Sequence, residues 1–397
     1  MPTVYIVFIS AGLLFLLLYV VYRVSSKPIT TEEAKAHLDS YFTKLLHQSR
    51  QQTGLQVLVE SKGFHYSFTA GSISAGNGAT IAPNQPFHTA SIGKVFTAVL
   101  IMKLAEQGQL SIHDPLTAYL PGTALTNLFV YKGTDYAEQV TLKQLLGHTS
   151  GVADYLEDPV SGSPAFLELL VSNPGRFWTP DQLVDFTRQH QQATGIPGTR
   201  YHYSDTGYIL LGQIIEAVTG ASFSANLHKE IFGPLQMDDS YLMFYSEPHN
   251  QPKLQIQDIW LNGTEISTYQ SLSCDWAGGG IITTPKDLMI FQKKLRNGQL
   301  LRPDSLREME SFSHKFRTGL HYGLGMMEVR FEEFFFMLKG LPRLKGHIGI
   351  LATHMFSYPD SDTHIVMNFG STAAMVRSFK ALIEIVNTLK KIRSVDI

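Results

Sequence analysis

The sequence predicts an α+β fold, in which an antiparallel sheet is flanked by helices and a helical block is inserted between two groups of strands. Strand-like apolar runs occur early, before about residue 115, and late, after about residue 315. The residues between them carry helix caps and glycine stops. If the early and late strands share one sheet, the middle of the chain is an insertion beside it.

The composition indicates a large globular protein. Of 397 residues, 44% are apolar and 17% are charged, which excludes a disordered chain. The net charge of −2 and the lack of a basic block argue against nucleic acid as a partner. Cys274 is the single cysteine, so neither an intramolecular disulfide nor a cysteine-based metal site can form. The histidines lack ligand spacing, and we expect no metal and no cofactor.

The first apolar run, residues 4–22, is predicted to be a transmembrane helix or signal anchor. It carries no charge, and at 1.5 Å per residue it reaches ~30 Å, the thickness of a hydrocarbon core. A cleaved signal peptide is the alternative, although a basic start and a clear cleavage site are missing. Arg23 and Lys27 follow the run and by themselves favour a cytoplasmic domain.

The rest of the chain, residues 28–397, is predicted to form one catalytic unit. Its sheet part covers about 28–115 and 315–397, and its helical part covers about 116–314. Caps, glycine stops and apolar periodicity predict these elements in order: a helix from Thr30 to about Gln48, strands Leu55–Glu60 and His65–Ala70, a helix Ser91–Gln107, helices beginning near Thr179, Asp205 and Thr284, strands Tyr322–Met337, His347–Tyr358 and Thr363–Phe369, and a helix from about Thr372 to Ile392.

The candidate chemistry starts at Ser91-Ile92-Gly93-Lys94, the only S-x-x-K in the chain. On a helix, residues i and i+3 share a face, so the Lys94 amine can reach the Ser91 hydroxyl. A serine needs a base to become a nucleophile, and a lysine serves as one only when neutral. Burial near a helix N-terminus favours the neutral amine and places backbone N–H groups beside a developing oxyanion.

Three further segments accompany this pair: Tyr203-Ser204-Asp205, His347-Ile348-Gly349, and a Leu-Leu-Gly-His-Thr-Ser-Gly run at 145–151. With Ser91 and Lys94, their order and spacing resemble the serine β-lactamase-related family, which includes class C β-lactamases, D-Ala-D-Ala carboxypeptidases, D-aminopeptidases and esterases. That family has S-x-x-K, then Y-x-N or Y-x-D, then K-T-G or H-x-G. The resemblance covers about residues 55–369 and implies a β-lactamase/transpeptidase-like fold.

The resemblance implies catalytic roles for four residues. Ser91 would be the acyl-accepting nucleophile and Lys94 its base. Tyr203 would shuttle the proton between nucleophile and leaving group, which calls for a phenol with a lowered pKa near a cation. His347 occupies the place of the family's strand lysine and would orient Tyr203 or hold its phenolate.

The resemblance also implies a substrate-binding set. The backbone N–H groups of Ser91 and Ile350 would form the oxyanion hole, and Gly349 would let substrate approach the strand. Two residues depart from the family pattern: Ile348 lacks the hydroxyl that binds a substrate carboxylate, and Asp205 replaces an amide-binding asparagine. Both departures disfavour penicillins and C-terminal D-Ala peptides. They favour a neutral ester, an amide or a substrate with an N-terminal amine.

Plainer explanations exist for the same residues. Ser91 or Asp205 could be a helix N-cap, Tyr203 a core tyrosine, and His148 of the 145–151 run a structural hydrogen-bonding residue. The aromatic run at 331–337 could be core or a lid over the pocket.

Three functional hypotheses remain open. The first is a membrane-anchored serine hydrolase acting through an acyl-enzyme on an ester or a peptide-like amide. The second is a true carboxypeptidase or β-lactamase, and the third is a catalytically silent relative that binds peptidoglycan fragments. Because relatives mostly act outside the cytoplasmic membrane, a periplasmic or extracellular domain is expected despite Arg23 and Lys27.

Overall fold

The computed structural model describes residues 27–47 and 54–392. The predicted anchor at 4–22 lies outside these residues. Within them, no single helix has the length and apolar character to cross a membrane. One pair of helices, Asp205–Thr219 and Phe223–Leu235, meets the length and composition requirement together but is bent by 79°.

A nine-stranded antiparallel sheet forms the centre of the fold, with strand order β11-β12-β13-β14-β15-β16-β1-β2-β3. Three short two- or three-stranded sheets supply the remaining strands. The strands are β1 Gly54–Ser61, β2 Phe64–Ser74, β3 Asn77–Thr80, β4 Phe87–His88, β5 Val130–Tyr131, β6 Thr134–Asp135, β7 Tyr241–Leu242, β8 Trp260–Leu261, β9 Thr264–Glu265, β10 Ile281–Thr283, β11 His314–Arg317, β12 Leu320–Tyr322, β13 Met327–Val329, β14 Leu344–Gly349, β15 Thr353–Tyr358 and β16 Thr363–Asn368.

Helices cover both faces of this sheet and fill the region between its two groups of strands. They are α1 Thr31–His47, α2 Gly93–Glu106, α3 Gly122–Leu125, α4 Leu142–Leu146, α5 Phe166–Ser172, α6 Pro180–His190, α7 Asp205–Thr219, α8 Phe223–Leu227, α9 Gly233–Leu235, α10 Trp276–Gly279, α11 Pro285–Arg296, α12 Pro303–Met309, α13 Phe331–Phe334 and α14 Met375–Lys391. The α1 helix opens with the predicted capping box, because Thr30 and Glu33 each accept the other's backbone N–H.

The early and late strands meet at β1 and β16, which pair antiparallel with Val57 opposite Met367. Side chains of β1 alternate between the two faces of the sheet. Val57 and Val59 belong to the core under α1 and α14, whereas Leu58 packs against the larger core that includes α2, α7 and α11. The predicted α+β fold is therefore confirmed, with strands contributed from both ends of the chain.

Two predicted strands were wrong in extent. Tyr322–Met337 is interrupted at Gly323 and at Gly325, whose φ of +72° suits a tight turn, and the chain then forms α13 instead of continuing. His347–Tyr358 is two strands, β14 and β15, joined by a turn at residues 350–352. Both errors have one cause, since an apolar run shows where a strand lies but not where it reverses.

Candidate active site

The candidate nucleophile lies on a strained turn. Ser91 is in a single 3₁₀ turn, Ala90–Ile92, that leads directly into α2. Ala90 has a φ of +48°, a conformation that is uncommon for a residue with a Cβ and that concentrates at functional sites. Two glycines permit this turn, because a Cβ on Gly279 or on Gly349 would come within 3.0 Å of Ala90.

Lys94 lies one helical turn after Ser91 and is completely buried. Its ammonium is 3.3 Å from the Ser91 hydroxyl and donates to the Gly278 carbonyl at 2.9 Å. It also forms an ion pair with Asp205 at the first turn of α7. The three protons of the ammonium thus have three acceptors, which is what a buried cation requires.

Of the two roles expected of Asp205, the helix N-cap is wrong and the place at the substrate cavity stays a prediction. The N-cap of α7 is Ser204, whose hydroxyl accepts the Gly207 N–H at 3.3 Å. The Asp205 carboxylate faces Lys94 and also lines the cavity in front of Ser91. Because its charge is balanced by Lys94, Asp205 is a weaker argument against an anionic substrate than the sequence suggested.

Tyr203 lies beside Ser91, and its ring is 5.1 Å from the Lys94 ammonium. Burial raises the pKa of its phenol well above 10, and the Asp205 charge adds to this, against a smaller lowering by a hydrogen bond with Ser91. The expectation that the Tyr203 phenol has a lowered pKa was therefore wrong, and the phenol is neutral. His148 packs against the Tyr203 ring at 4.2 Å between centroids and accepts the Ser204 N–H at 3.1 Å.

His347 is fully buried near the same cluster. Burial, then the Lys94 charge, lowers its pKa to about 3, against a smaller opposing effect of a backbone hydrogen bond. Its Nδ1 is 2.8 Å from the Ile348 carbonyl, which can only accept, so Nδ1 carries the proton. Nε2 then accepts from the Tyr322 hydroxyl at 3.1 Å. The implied contact with Tyr203 is replaced by one with Tyr322.

The end of β14 borders the cavity through Ile348, Gly349 and Ile350. A Cβ on Gly349 would lie 2.2 Å from the Thr353 hydroxyl and 2.6 Å from the Thr89 carbonyl. Glycine at this position therefore lets the strand pack against the nucleophile turn, and the approach of substrate along Gly349 stays a prediction. Ile348 presents an apolar side chain to the cavity, as expected from the missing hydroxyl.

The cavity in front of Ser91 encloses about 240 Å³ and is mainly apolar. Ser91, Tyr203 and Asp205 provide polar groups, and the exposed Glu157 and Arg317 add charge to the lining. Apolar side chains make up most of the remaining wall: Phe316, Leu320, Met327, Phe334, Ile348 and Phe379. Phe334 comes from the aromatic run at 331–337, so part of that run does line the pocket.

Sequence reasoning missed a second acid near Lys94, the half-buried Asp275. Burial, then the Asp205 charge, raises the pKa of Asp275 to about 7, although Lys94 opposes this. His88 faces it, with 3.5 Å between Nε2 and the nearer carboxylate oxygen. Burial lowers the pKa of His88 to about 4. Asp275 precedes the Gly278-Gly279-Gly280 run, and that run was the available signal that this segment approaches the nucleophile.

No metal or cofactor can be assigned to these residues. Across residues 27–47 and 54–392, no group of three or more His, Cys, Asp or Glu side chains is arranged to hold a metal ion.

Comparison with known proteins identifies the family. The family model described as Beta-lactamase matches residues 38–383. The chain belongs to the beta-lactamase family. Penicillin-binding protein 4 of Amycolatopsis lactamdurans is 28% identical over 190 residues, which are 47% of this chain and 44% of that protein. The chain thus spans less than half the length of this curated relative.

Solved structures of the same fold agree with this membership. A D-stereospecific amidohydrolase from Streptomyces sp. is 25% identical, with a TM-score of 0.66, over 81% of this chain and 90% of the other. The D-amino acid amidase of Ochrobactrum anthropi SV3 has a TM-score of 0.72 at 22% identity, over 91% and 98%, and shows the fold alone. The family resemblance that the sequence motifs indicate is therefore confirmed.

Replacing Asp275 by Asn should stabilise the protein at alkaline pH. The folded-state pKa of about 7 lies above the ordinary value of 3.8, so the folded state holds this proton more tightly than the unfolded state does. The native carboxyl therefore costs stability increasingly as pH rises from about 4, and fully above about 7. We expect Asp275→Asn to raise the free energy of unfolding by on the order of 2 kcal/mol at pH 8.

Urea unfolding of both proteins between pH 4 and pH 8 measures this difference, which should shrink toward zero at the acid end. Glu138→Gln, which removes an exposed carboxylate, is the control and should show little change. A difference for Asp275→Asn that is constant across this range would contradict the prediction.

Proposed function

We propose that the protein is a serine hydrolase that acts on an ester or amide through an acyl-enzyme on Ser91. The observation that supports it most is the cluster in which Lys94 contacts both Ser91 and Asp205, beside a neutral Tyr203. Membership of the beta-lactamase family and the Streptomyces amidohydrolase structure support the same reaction class. A silent peptidoglycan-binding relative is disfavoured, since binding alone does not require this set of groups.

Acylation begins with a proton transfer inside the Lys94–Asp205 pair. Of the three acceptors around the Lys94 ammonium, the Asp205 carboxylate is the one basic enough to take a full proton. The neutral amine then takes the Ser91 proton as Oγ forms its bond to the substrate carbonyl carbon. The backbone N–H groups of Ser91 and Ile350 are the proposed donors to the oxyanion.

Collapse of the tetrahedral intermediate breaks the bond to the leaving group and needs a proton. Tyr203 is placed to donate it, because burial keeps its phenol protonated. In deacylation, an attacking water returns a proton to Tyr203, and Lys94 returns one to Ser91 as the acyl bond breaks. The Lys94–Asp205 ion pair is then restored, and every proton is accounted for.

The substrate that fits best carries an apolar group next to its ester or amide. The cavity of about 240 Å³ is lined mainly by aromatic and aliphatic side chains. Ile348 stands where the family pattern has a hydroxyl that binds a substrate carboxylate. A cleft with this lining stabilises an apolar acyl chain or ring by burying it. A carboxypeptidase or β-lactamase is the second candidate. Arg317 at the pocket is the feature that favours it, since a guanidinium can bind a substrate carboxylate.

An active-site probe tests the nucleophile. We expect a fluorophosphonate to form an adduct on Ser91 that mass spectrometry detects and that disappears in Ser91→Ala. The exposed Ser313 supplies the control, because Ser313→Ala should label normally. Purified protein should also hydrolyse p-nitrophenyl acetate faster than a cephalosporin. The reverse order would favour the β-lactamase alternative, and labelling that persists in Ser91→Ala would exclude Ser91 as the nucleophile.

Removing the Tyr203 hydroxyl should slow the acylation rate with amides much more than the acylation rate with activated esters. A p-nitrophenolate leaves without a proton, whereas an amine does not, so Tyr203→Phe should slow acylation by an anilide on the order of 10²–10⁴-fold. The nitrophenol burst from p-nitrophenyl acetate should stay within about tenfold of the native rate, by the same proton-transfer argument. With the anilide, acyl-enzyme should then accumulate, because the Tyr203 phenolate that serves as the base in deacylation is absent.

Tyr201→Phe is the matched control for this experiment. The Tyr201 hydroxyl is buried without a hydrogen-bond partner among the described residues, so its loss should change neither rate much. If Tyr203→Phe slows the ester burst as strongly as the anilide reaction, Tyr203 acts on the nucleophile and the assignment to the leaving group is wrong.

Membrane attachment through residues 4–22 and an outward-facing catalytic domain are part of the proposal. The support is the uncharged apolar run itself and the hydrolase chemistry of the site. Protease added to intact cells should degrade the catalytic domain, while a cytoplasmic marker protein stays intact. Degradation of the catalytic domain only after lysis would indicate that it lies in the cytoplasm, as Arg23 and Lys27 favour.

A further inference from the structure

An exposed apolar surface lies at the end of the aromatic run 331–337. Phe335, Phe336 and Met337, here called the aromatic knob, are 53%, 75% and 69% exposed. They follow α13 and lead into the turn at Gly340. Three consecutive large apolar side chains in solvent are unusual on a soluble surface and indicate a binding partner.

The first described residues of the chain lie next to this knob's turn. Lys390, at the end of α14, donates to the Gly340 carbonyl at 2.8 Å and so fixes the knob's turn to that end of the helix. Ile29 pairs with Ile392 there and donates its N–H to the Lys391 carbonyl at 2.9 Å. Only six residues separate Ile29 from the end of the uncharged run at Tyr22.

The charges around the knob suit a lipid surface. The exposed Lys339 lies two residues after the knob, and Lys390 and Lys391 lie across the turn. The two acids on the same segment are both paired, Glu333 with Lys315 at 2.9 Å and Glu332 with Arg343 at 3.0 Å. Aromatic side chains flanked by lysines are the composition that partitions into the interfacial region of a bilayer with anionic lipids.

We propose that the aromatic knob docks the catalytic domain on the bilayer surface. The knob and the proposed anchor then touch the same leaflet, which fixes the orientation of the domain. Phe334, the residue before the knob, lines the cavity in front of Ser91, so docking brings the pocket close to the lipid. It follows, resting on the proposed hydrolase function, that the substrate is an amphipathic ester or amide taken from the membrane.

Site-specific labelling tests the docking. Cys274 is fully buried, so Met337→Cys in the full chain can be labelled selectively with a fluorescent maleimide. The chain is reconstituted in vesicles of phosphatidylcholine with a minority of phosphatidylglycerol, and quenching by a lipid-borne doxyl group is measured. Leu254→Cys is the matched control, because Leu254 is an apolar side chain that is 50% exposed.

The control lies at the far end of strand β1. Gln257, close to Leu254 in sequence, donates to the Gly54 carbonyl at the start of β1. Ser61, at the other end of β1, borders the same groove as Ile392 and Gly340. The eight residues of β1 put ~25 Å between the two ends. We expect quenching at position 337 to exceed that at position 254 at least threefold.

Equal quenching at the two positions would overturn the docking. The docking would also be overturned if, without lipid, the emission of the label at position 337 changed with protein concentration. That result would make a second copy of the chain the partner of the knob.

Activity supplies an independent readout. Phe336→Asp with Met337→Asp should lower hydrolysis of a long-chain ester held in vesicles about tenfold and leave hydrolysis of a soluble short-chain ester unchanged. An unchanged rate on the vesicle ester would overturn the delivery of substrate from the membrane. If the native chain hydrolyses neither ester, the proposed function fails, whereas the quenching result still decides the docking.

Discussion

The buried ammonium of Lys94 is the interaction on which the rest of this structure depends. Removing a charge from water is costly unless partners replace the lost hydration. Here the partners come from three separate stretches of chain: Ser91 on the nucleophile turn, Asp205 at the start of α7, and the Gly278 carbonyl. Satisfying this one cation therefore holds together α2, α7 and α10, which are distant in sequence.

The backbone around this cation is adapted to the same constraint. Ala90 is held at a positive φ, and Gly279 and Gly349 let two other segments approach it closely. Strain of this kind persists only where the surrounding packing enforces it. The Lys94 contacts and the close glycines provide that enforcement, and Ser91 borders a cavity that is mainly apolar.

The neutral state of the other titratable groups follows from the same burial. Tyr203 and His347 are uncharged near neutral pH because burial opposes their charged forms, and Asp275 has its pKa raised to about 7 for the same reason. The site therefore concentrates its charge in one ion pair. Proton transfer within that pair is the simplest way to make a base without a separate uncompensated charge.

Three features that bear on the proposed membrane docking lie together at one end of the domain. The end of α14, the turn at Gly340 and the entry of the chain at Ile29 lie together, and the aromatic knob extends from that point. The segment of residues 331–337 contributes to both the knob and the pocket, so under the docking proposal one apolar run connects the lipid surface with Ser91.

The sequence by itself determined the family and the fold class, and it supplied the proposed reacting groups. The S-x-x-K, Y-x-D and H-x-G patterns were enough for that, because they require particular side chains at particular spacings. Caps and glycine stops likewise located α1, α2 and α7 to within a residue or two. Each of these patterns involves only residues close together in the sequence, so it can be recognised without knowing how the rest of the chain folds.

Only the tertiary structure decided which group each side chain faces. Asp205 pairs with Lys94, His347 bonds to Tyr322, and Gly349 serves the packing of β14, none of which follows from sequence spacing. The state of Tyr203 and the second acid at Asp275 were likewise set by burial, which depends on segments far apart in the chain. Partners and pKa values are properties of the assembled interior, so they become defined only when the sheet brings both ends of the chain together.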